Sequence, residues 1–283
     1  MGVLNITPDS FTDGGLYLEP DKATEHALRL LDEGADLLDL GAESTRPGSR
    51  AGSGDVAAVS AGEEQARLLP VLEAVLKARP DAVISVDTYK SSTARAAVAA
   101  GAEIVNDVSG FLWDQHMAAT CAELHCGVVL MHTRGTPEQW QTQTSLAADL
   151  LIQLVHGGLA LSLRTALASG IPVEKVVLDP GYGFGKRFNE NYDLLARQSE
   201  LLALGRPLLA GLSRKSFLSR TLLASRPGDS PTKEAREIAS TAAMVAAILA
   251  GASIVRVHEV RAATQAAAIA DAVLAASPQT ADA

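Results

Sequence analysis

The sequence predicts an α/β chain folded as a single-domain (β/α)8 barrel of the TIM type, and two observations carry that prediction. Short aliphatic runs alternate with Ala/Leu-rich helical stretches, giving eight candidate strands along the 283 residues. At Gly34, Gly101 and Gly251 a Gly-Ala pair separates a helical stretch from such a run, and glycine there is the usual left-handed helix stop. A doubly wound open sheet is the rival arrangement, but it ordinarily shows fewer strands.

The elements follow in order. GVLN, from Gly2, is the first strand and ends at Asn5; ATEHALRLLDE then reads as helix. GADLLDLG is the second strand, with Asp39 near its end, and AVISVDT the third, ending at Asp87. After the helical STARAAVAA comes GAEIVNDV, which ends in Asn106 and Asp107. GVVLMHT reaches His132, VVLDPG reaches Asp179, and PLLAGLS reaches Ser213 with Lys215 just beyond. GASIVRVH finishes on Arg256 and His258. Short, continuously apolar runs suit strands buried on both faces. No Pro-, Gly- or Ser-rich linker divides the chain, so one domain is expected over residues 1–275, with 276–283 as a frayed tail.

Composition narrows the function. Apolar residues make up 47% and aromatics 4%, so the core must be built from Ala, Leu and Val. The formal net charge is −9, and no basic cluster exceeds SRK or GKR, which argues against a nucleic-acid partner. A small anionic substrate stays compatible, because a few local cations outweigh a diffuse negative surface at close range. Cys121 and Cys126 are too few for a disulfide framework or a zinc site and read as thiols in a reducing compartment. There is no secretory leader pattern and no apolar run of about 18 residues, so the expectation is a cytoplasmic protein without membrane contact.

Barrel active sites sit at the C-terminal ends of the strands. Polar residues at all eight ends would be costly to bury idle. Strand alternation then sorts them. Arg256 and His258 share a face, and a guanidinium beside an imidazole suits phosphate or pyrophosphate, although either residue alone reads more readily as a core ion pair or a hydrogen-bonded histidine. Ser213 and Lys215 share a face, which turns Arg214 outward to a surface salt bridge. Only one of Asn106 and Asp107 can point into the barrel. Asn5 offers a neutral amide oxygen suited to Mg²⁺, which keeps waters and substrate phosphates as its other ligands. PGYGFGK satisfies neither the phosphate-loop nor the dinucleotide spacing, and His132 reads as structural.

NITPDSFTDGG, GAESTRPGS, SVDTYKS, VNDVSG, LMHTRGTP, LDPGYGFGK, GLSRKSFL and VRVHEV occur in order from residue 2 to about residue 260. Together they strongly resemble the dihydropteroate synthase family. The resemblance implies an Mg²⁺-dependent enzyme, a homodimer, that condenses 6-hydroxymethyl-7,8-dihydropterin pyrophosphate with p-aminobenzoate. It implies that Asp179 pairs with the amidine-like edge of the pterin, that Asp87 and Asn106 hold the other ring nitrogens, and that Met131 packs on the ring face. Lys215, with Gly211 leaving room beside it, would donate to the pterin carbonyl side. Lys215, Arg256, His258 and Asp87 would form the catalytic set, with Asn5, Thr45, Arg256 and His258 on the pyrophosphate and Asn5 on the metal.

The family also closes mobile βα loops over this face. Phe11, Asp13, Thr45, Arg46 and Pro47 would complete the p-aminobenzoate pocket, with Phe184 and Ser216 beside them, excluding water from a cationic methylene. Two departures stand out. The family usually opens with a short hairpin ahead of the first strand, whereas this sequence starts on that strand: either the sequence is truncated there or the barrel bottom is left less plugged. Thr133 stands where Met is common. A pterin-binding barrel methyltransferase would share Asp87, Asn106 and Asp179 but has no need of Arg256 and His258. A catalytically silent pterin-binding paralogue is the second alternative.

Overall fold

In the computed structural model, which describes residues 1–6, 20–45, 49–52, 58–226 and 228–276, eight parallel strands lie side by side in sequence order. They are β1 (Gly2–Asn5), β2 (Leu37–Gly41), β3 (Val83–Asp87), β4 (Ile104–Asp107), β5 (Gly127–Met131), β6 (Val176–Asp179), β7 (Leu208–Ala210) and β8 (Ala252–Val255). The sheet closes on itself: Val3 N donates to Val257 O at 2.9 Å and Val257 N to Met1 O at 3.0 Å. The described helices are α1 (Pro20–Asp32), α2 (Ala61–Ala78), α3 (Ser91–Ala99), α4 (Met117–Leu124), α5 (Ala148–Ala168), α6 (Glu190–Ala196), α7 (Ser216–Ser225), α8 (Lys233–Leu249) and α9 (Val260–Ala276). This is the (β/α)8 barrel.

Local chemistry explains the elements. Ser60 caps α2 by accepting from Glu63 N at 3.2 Å, and Thr232 caps α8 by accepting from Ala235 N at 3.1 Å. Gly101 and Gly251, at φ of +110° and +95°, turn the chain from helix into strand where a Cβ would meet Leu76 and Leu202 at 2.6 Å. Two runs are shorter than the sequence suggests. β7 has three residues, and within it the β7–β8 register slips between Leu208 and Leu209. β8 stops at Val255, and the next residues leave it to close onto β1. The last helix runs to Ala276; residues 277–283 lie outside those described.

The barrel interior is layered. Leu37, Ile104, Val129, Val177, Leu209 and Ile254 pack with Met1 at the lower end, where the Met1 amine donates to Val255 O at 3.0 Å. Two residues further along stand Asp39, Asn106, Met131 and Asp179 on the same strands, with Gly211 and Arg256 just past the ends of β7 and β8. A strand side-chain period of two puts each pair on one face. The barrel is therefore apolar below and polar above. Outside it, two aliphatic clusters bind the helices to the strands, one centred on β4–β7 and one on β1–β3. Among the described helices, α5 alone is long and apolar enough to cross a membrane by length and composition, but Gln153, His156 and Arg164 interrupt it and it packs along β5 and β6.

Candidate active site

A cavity of about 540 Å³ opens at the C-terminal ends of the strands. Asn5, Thr45, Asp87, Asn106, Met131 and Asp179 line it, and so do Phe184, Gly211, Lys215, Ser216, Arg256 and His258. The structure thus gathers every described site candidate read from the sequence into one volume. Phe11, Asp13, Arg46 and Pro47 lie outside the described residues.

The floor is a polar network built on Asp39. This carboxylate is fully buried and accepts from Ser85 Oγ at 2.7 Å, Asn106 Nδ2 at 3.1 Å and Arg256 Nε at 2.5 Å. The other arm of the Arg256 guanidinium donates to Asp87 Oδ2 at 2.8 Å. Arg256 therefore bridges β2 and β3 from the end of β8, and its partners are the carboxylates of the floor. Burial pushes the Asp87 carboxyl up to about 7, against the pull of Arg256. Asp39 is the residue that the sequence reading names without a role. Its signal is the parity that puts Asp39 under Gly41 and Ser85 under Asp87.

Asn106 and Asp107 part company as alternation requires. Asn106 faces the cavity, while Asp107 caps its own loop, accepting from Ser109 N and Ser109 Oγ at 2.7 Å and from Phe111 N at 2.9 Å. Asp179 accepts from Gly181 N at 2.7 Å through Oδ1, and burial raises its pKa. A Cβ on Gly211 would sit 4.0 Å from Asp179 Oδ2, so glycine leaves that edge of the carboxylate open.

Lys215 Nζ lies 3.8 Å from the centroid of the Phe184 ring, and burial lowers its pKa to about 7 against the opposing pull of Asp179. His258 sits beside the Ser213 hydroxyl, Nδ1 to Oγ 2.9 Å, so Ser213 orients the imidazole. Phe184 packs edge-on against Trp140, whose indole N–H donates to Thr133 Oγ1 at 3.2 Å and to Gly135 O at 3.0 Å. Thr133 thus fixes an aromatic wall of the cavity. His132 does not line the cavity; its ring lies against Gly158 of α5. Arg214 turns outward to Glu237 and Glu259, at 2.6 and 2.7 Å.

Among the described residues no three His, Cys, Asp or Glu side chains cluster as metal ligands. Asn5, half-buried at the rim, offers an amide oxygen; such a donor fits a Mg²⁺ held mostly by phosphate oxygens and water, not an all-protein cage.

Arranged in this way, the cavity offers carboxylates to N–H donors, an ammonium to a carbonyl, and an aromatic wall to a flat ring. Comparison with known proteins agrees. The family model of the pterin binding enzymes matches residues 1–258. The dihydropteroate synthase of Bacillus subtilis (strain 168) is 40% identical over 274 residues, 97% of this chain and 88% of that protein. The structure of the Xanthomonas albilineans dihydropteroate synthase with 4-aminobenzoic acid aligns with a TM-score of 0.84 at 39% identity, covering 98% of this chain and 93% of that one. The same enzyme in complex with 7,8-dihydropteroate gives 0.81 at 37% identity, with the same coverage. The chain belongs to the dihydropteroate synthase family of pterin-binding enzymes.

Proposed function

We propose that this chain joins 6-hydroxymethyl-7,8-dihydropterin pyrophosphate to p-aminobenzoate, releasing 7,8-dihydropteroate and pyrophosphate. One observation carries the reading: Asp87, Asn106, Asp179 and Lys215 converge with Met131 on a single cavity whose rim holds Asn5, Thr45 and His258. The 4-aminobenzoic acid and 7,8-dihydropteroate complexes of the Xanthomonas relative support it.

Each residue then has a task. Asp179 accepts two parallel N–H bonds from the pterin edge. Asp87 and Asn106 hold the remaining ring nitrogens, Met131 covers the ring face, and Lys215 donates to the carbonyl side. Arg256, clamped by Asp39 and Asp87, brings positive charge between the pterin floor and the diphosphate, where His258 and Thr45 also stand. Mg²⁺ held at Asn5 would neutralise charge on the departing pyrophosphate. The bond from the methylene carbon to the pyrophosphate oxygen breaks with its electron pair, the aniline nitrogen attacks the cationic methylene so formed, and the amine proton leaves to solvent. An aniline is already neutral at pH 7, so catalysis is positioning and leaving-group stabilisation without a strong base.

The same proposal places the enzyme in the cytoplasm as a homodimer. Ile238, Ala242, Ala246 and Leu249 form an exposed apolar stripe along α8, which a second copy would cover; sedimentation at two concentrations tests it.

The deciding experiment supplies both substrates with Mg²⁺ and follows pyrophosphate. Release that requires p-aminobenzoate supports the reading. Pterin binding without release would mark a silent paralogue, and methyl transfer from a methylated folate would mark the methyltransferase.

A further inference from the structure

The segment after β2 is fastened at three points, and all three converge on Tyr89 and Lys90, just beyond β3. Lys90 Nζ donates to a carboxylate oxygen of Glu43 and to Glu64 Oε2, the latter at 3.1 Å. Glu43 leads directly into Ser44 and Thr45 at the cavity wall, while Glu64 stands in the first turn of α2. One ammonium therefore ties together the two stems of the β2–α2 connection. Thr93 Oγ1 donates to Glu64 Oε2 at 2.8 Å, and the Tyr89 hydroxyl donates to Glu43 Oε1 at 3.3 Å.

The third point is a seat. Ala51 is buried, and Gly52 rests so closely on the Trp113 indole that a Cβ would fall 2.4 Å from the ring. Trp113 in turn packs edge-on against Tyr89, ring centroids 5.2 Å apart.

This cluster takes no part in the chemistry above, yet it is built at a cost. The Lys90, Glu43 and Glu64 side chains are only 14%, 6% and 1% exposed, and two carboxylates share one ammonium. Burial works against the Lys90 charge, but Glu64 and Glu43 outweigh it and hold its pKa above the ordinary value. A buried ion network of this kind contributes little stability that an apolar cluster would not, so its value lies in where it holds the backbone. That place is the cavity mouth.

We infer that Lys90 and Tyr89 are positioning residues for the p-aminobenzoate step, acting through Glu43 and the Ala51–Gly52 seat to hold Ser44 and Thr45 at the wall of the cavity. The inference rests on the reaction proposed above. Because Lys90 lies three residues past Asp87, the clasp joins the pterin floor to the rim, with Glu43 itself at the cavity wall.

Glu43→Gln is the primary test, since it weakens the tie to the rim and leaves the Lys90–Glu64–Thr93 group intact. The KM for p-aminobenzoate is expected to rise about tenfold, while calorimetric affinity for free 6-hydroxymethyl-7,8-dihydropterin stays within about twofold. Lys90→Met moves KM further in the same direction, and Lys90→Arg, which keeps the cation, recovers most of the loss. Amide exchange at residues 43–45 and 49–52 quickens in Glu43→Gln with no ligand present. Unchanged KM and exchange in Glu43→Gln would overturn the clasp, as would parallel losses of p-aminobenzoate and pterin binding. Where Lys90→Met does not fold, Glu43→Gln and Gly52→Ala decide between the same outcomes. A wild-type chain that releases no pyrophosphate refutes the reaction; wild-type turnover with unaltered variants refutes only the clasp.

Discussion

The two layers inside the barrel share strands, share a face and differ by two residues in sequence, yet they do opposite work. Val177 and Leu209 of the lower layer meet other aliphatic side chains and Met1. Asp179 and Gly211, two positions on, meet open volume. The lower layer gains stability by excluding water; the upper layer ties Asp39, Asn106 and Arg256 to one another and leaves one edge of Asp179 facing the open volume. Asp179 accepts one hydrogen bond from the described residues, at Oδ1. Its other oxygen faces the cavity beside Gly211, where a ligand's N–H groups would meet an acceptor already held in place. A substitution in one layer should therefore leave the other layer's property standing.

Asp179→Asn is the largest expected effect. It keeps the size but turns one acceptor into a donor facing the pterin's donors. Two charge-assisted bonds together account for on the order of 4 kcal/mol, close to a thousandfold in Kd. Titration calorimetry with the free pterin should show that loss, while the thermal transition barely moves. A variant that binds normally would make Asp179 a structural residue.

Leu209→Ala, at a fully buried side chain of the lower layer, should reverse the pattern. Truncating a buried leucine costs about 3 kcal/mol of stability through lost burial and the cavity left behind. Urea unfolding should record it, with pterin affinity unchanged below the transition. Affinity falling along with stability would mean that the layers are mechanically coupled.

Asp39→Asn joins the two properties. Three donors compete for its carboxylate, and an amide oxygen cannot serve them all. Loosening Arg256 and Asn106 together should weaken pterin binding by about 2 kcal/mol. Binding equal to wild type would show that Arg256 is held well enough by Asp87 alone.

The layering also shows what a sequence can reveal. Periodicity and the glycine stops located the strands, because a buried parallel strand must be short and apolar and a helix must end before it begins. Parity separated Asn106 from Asp107 and paired Arg256 with His258. It could not say which residues meet across the barrel. Asp39 and Arg256 stand 217 positions apart and meet only because the closed sheet brings β8 back beside β1 and β2. The Lys90 clasp was illegible for the same reason, since a lysine after a strand reads as a solvated residue until Glu43 and Glu64 are placed around it. The register slip between β7 and β8 is likewise something that local propensity does not encode.

Asp107 supplies the smallest effect and the sharpest control. It neighbours Asn106 but faces away from the cavity, so it belongs to neither interior layer. Burial raises its pKa from 3.8 to about 6, although the Ser109 hydroxyl and the Ser109 and Phe111 amides pull it down. Between those values the folded protein binds more protons than the unfolded chain, so stability falls as pH rises. The contribution is fully present below 3.8 and lost above about 6. Its slope within that window is at most about 1.4 kcal/mol per pH unit. Urea midpoints measured from pH 4 to pH 7 should flatten in Asp107→Asn relative to wild type. Pterin affinity at pH 7 should not change, since the capped loop turns its hydrogen bonds away from the cavity. An unaltered slope would place the pH dependence on Asp87 and its neighbours instead. A loss of pterin affinity would mean that the β4 loop, and not only the strand end, shapes the upper layer.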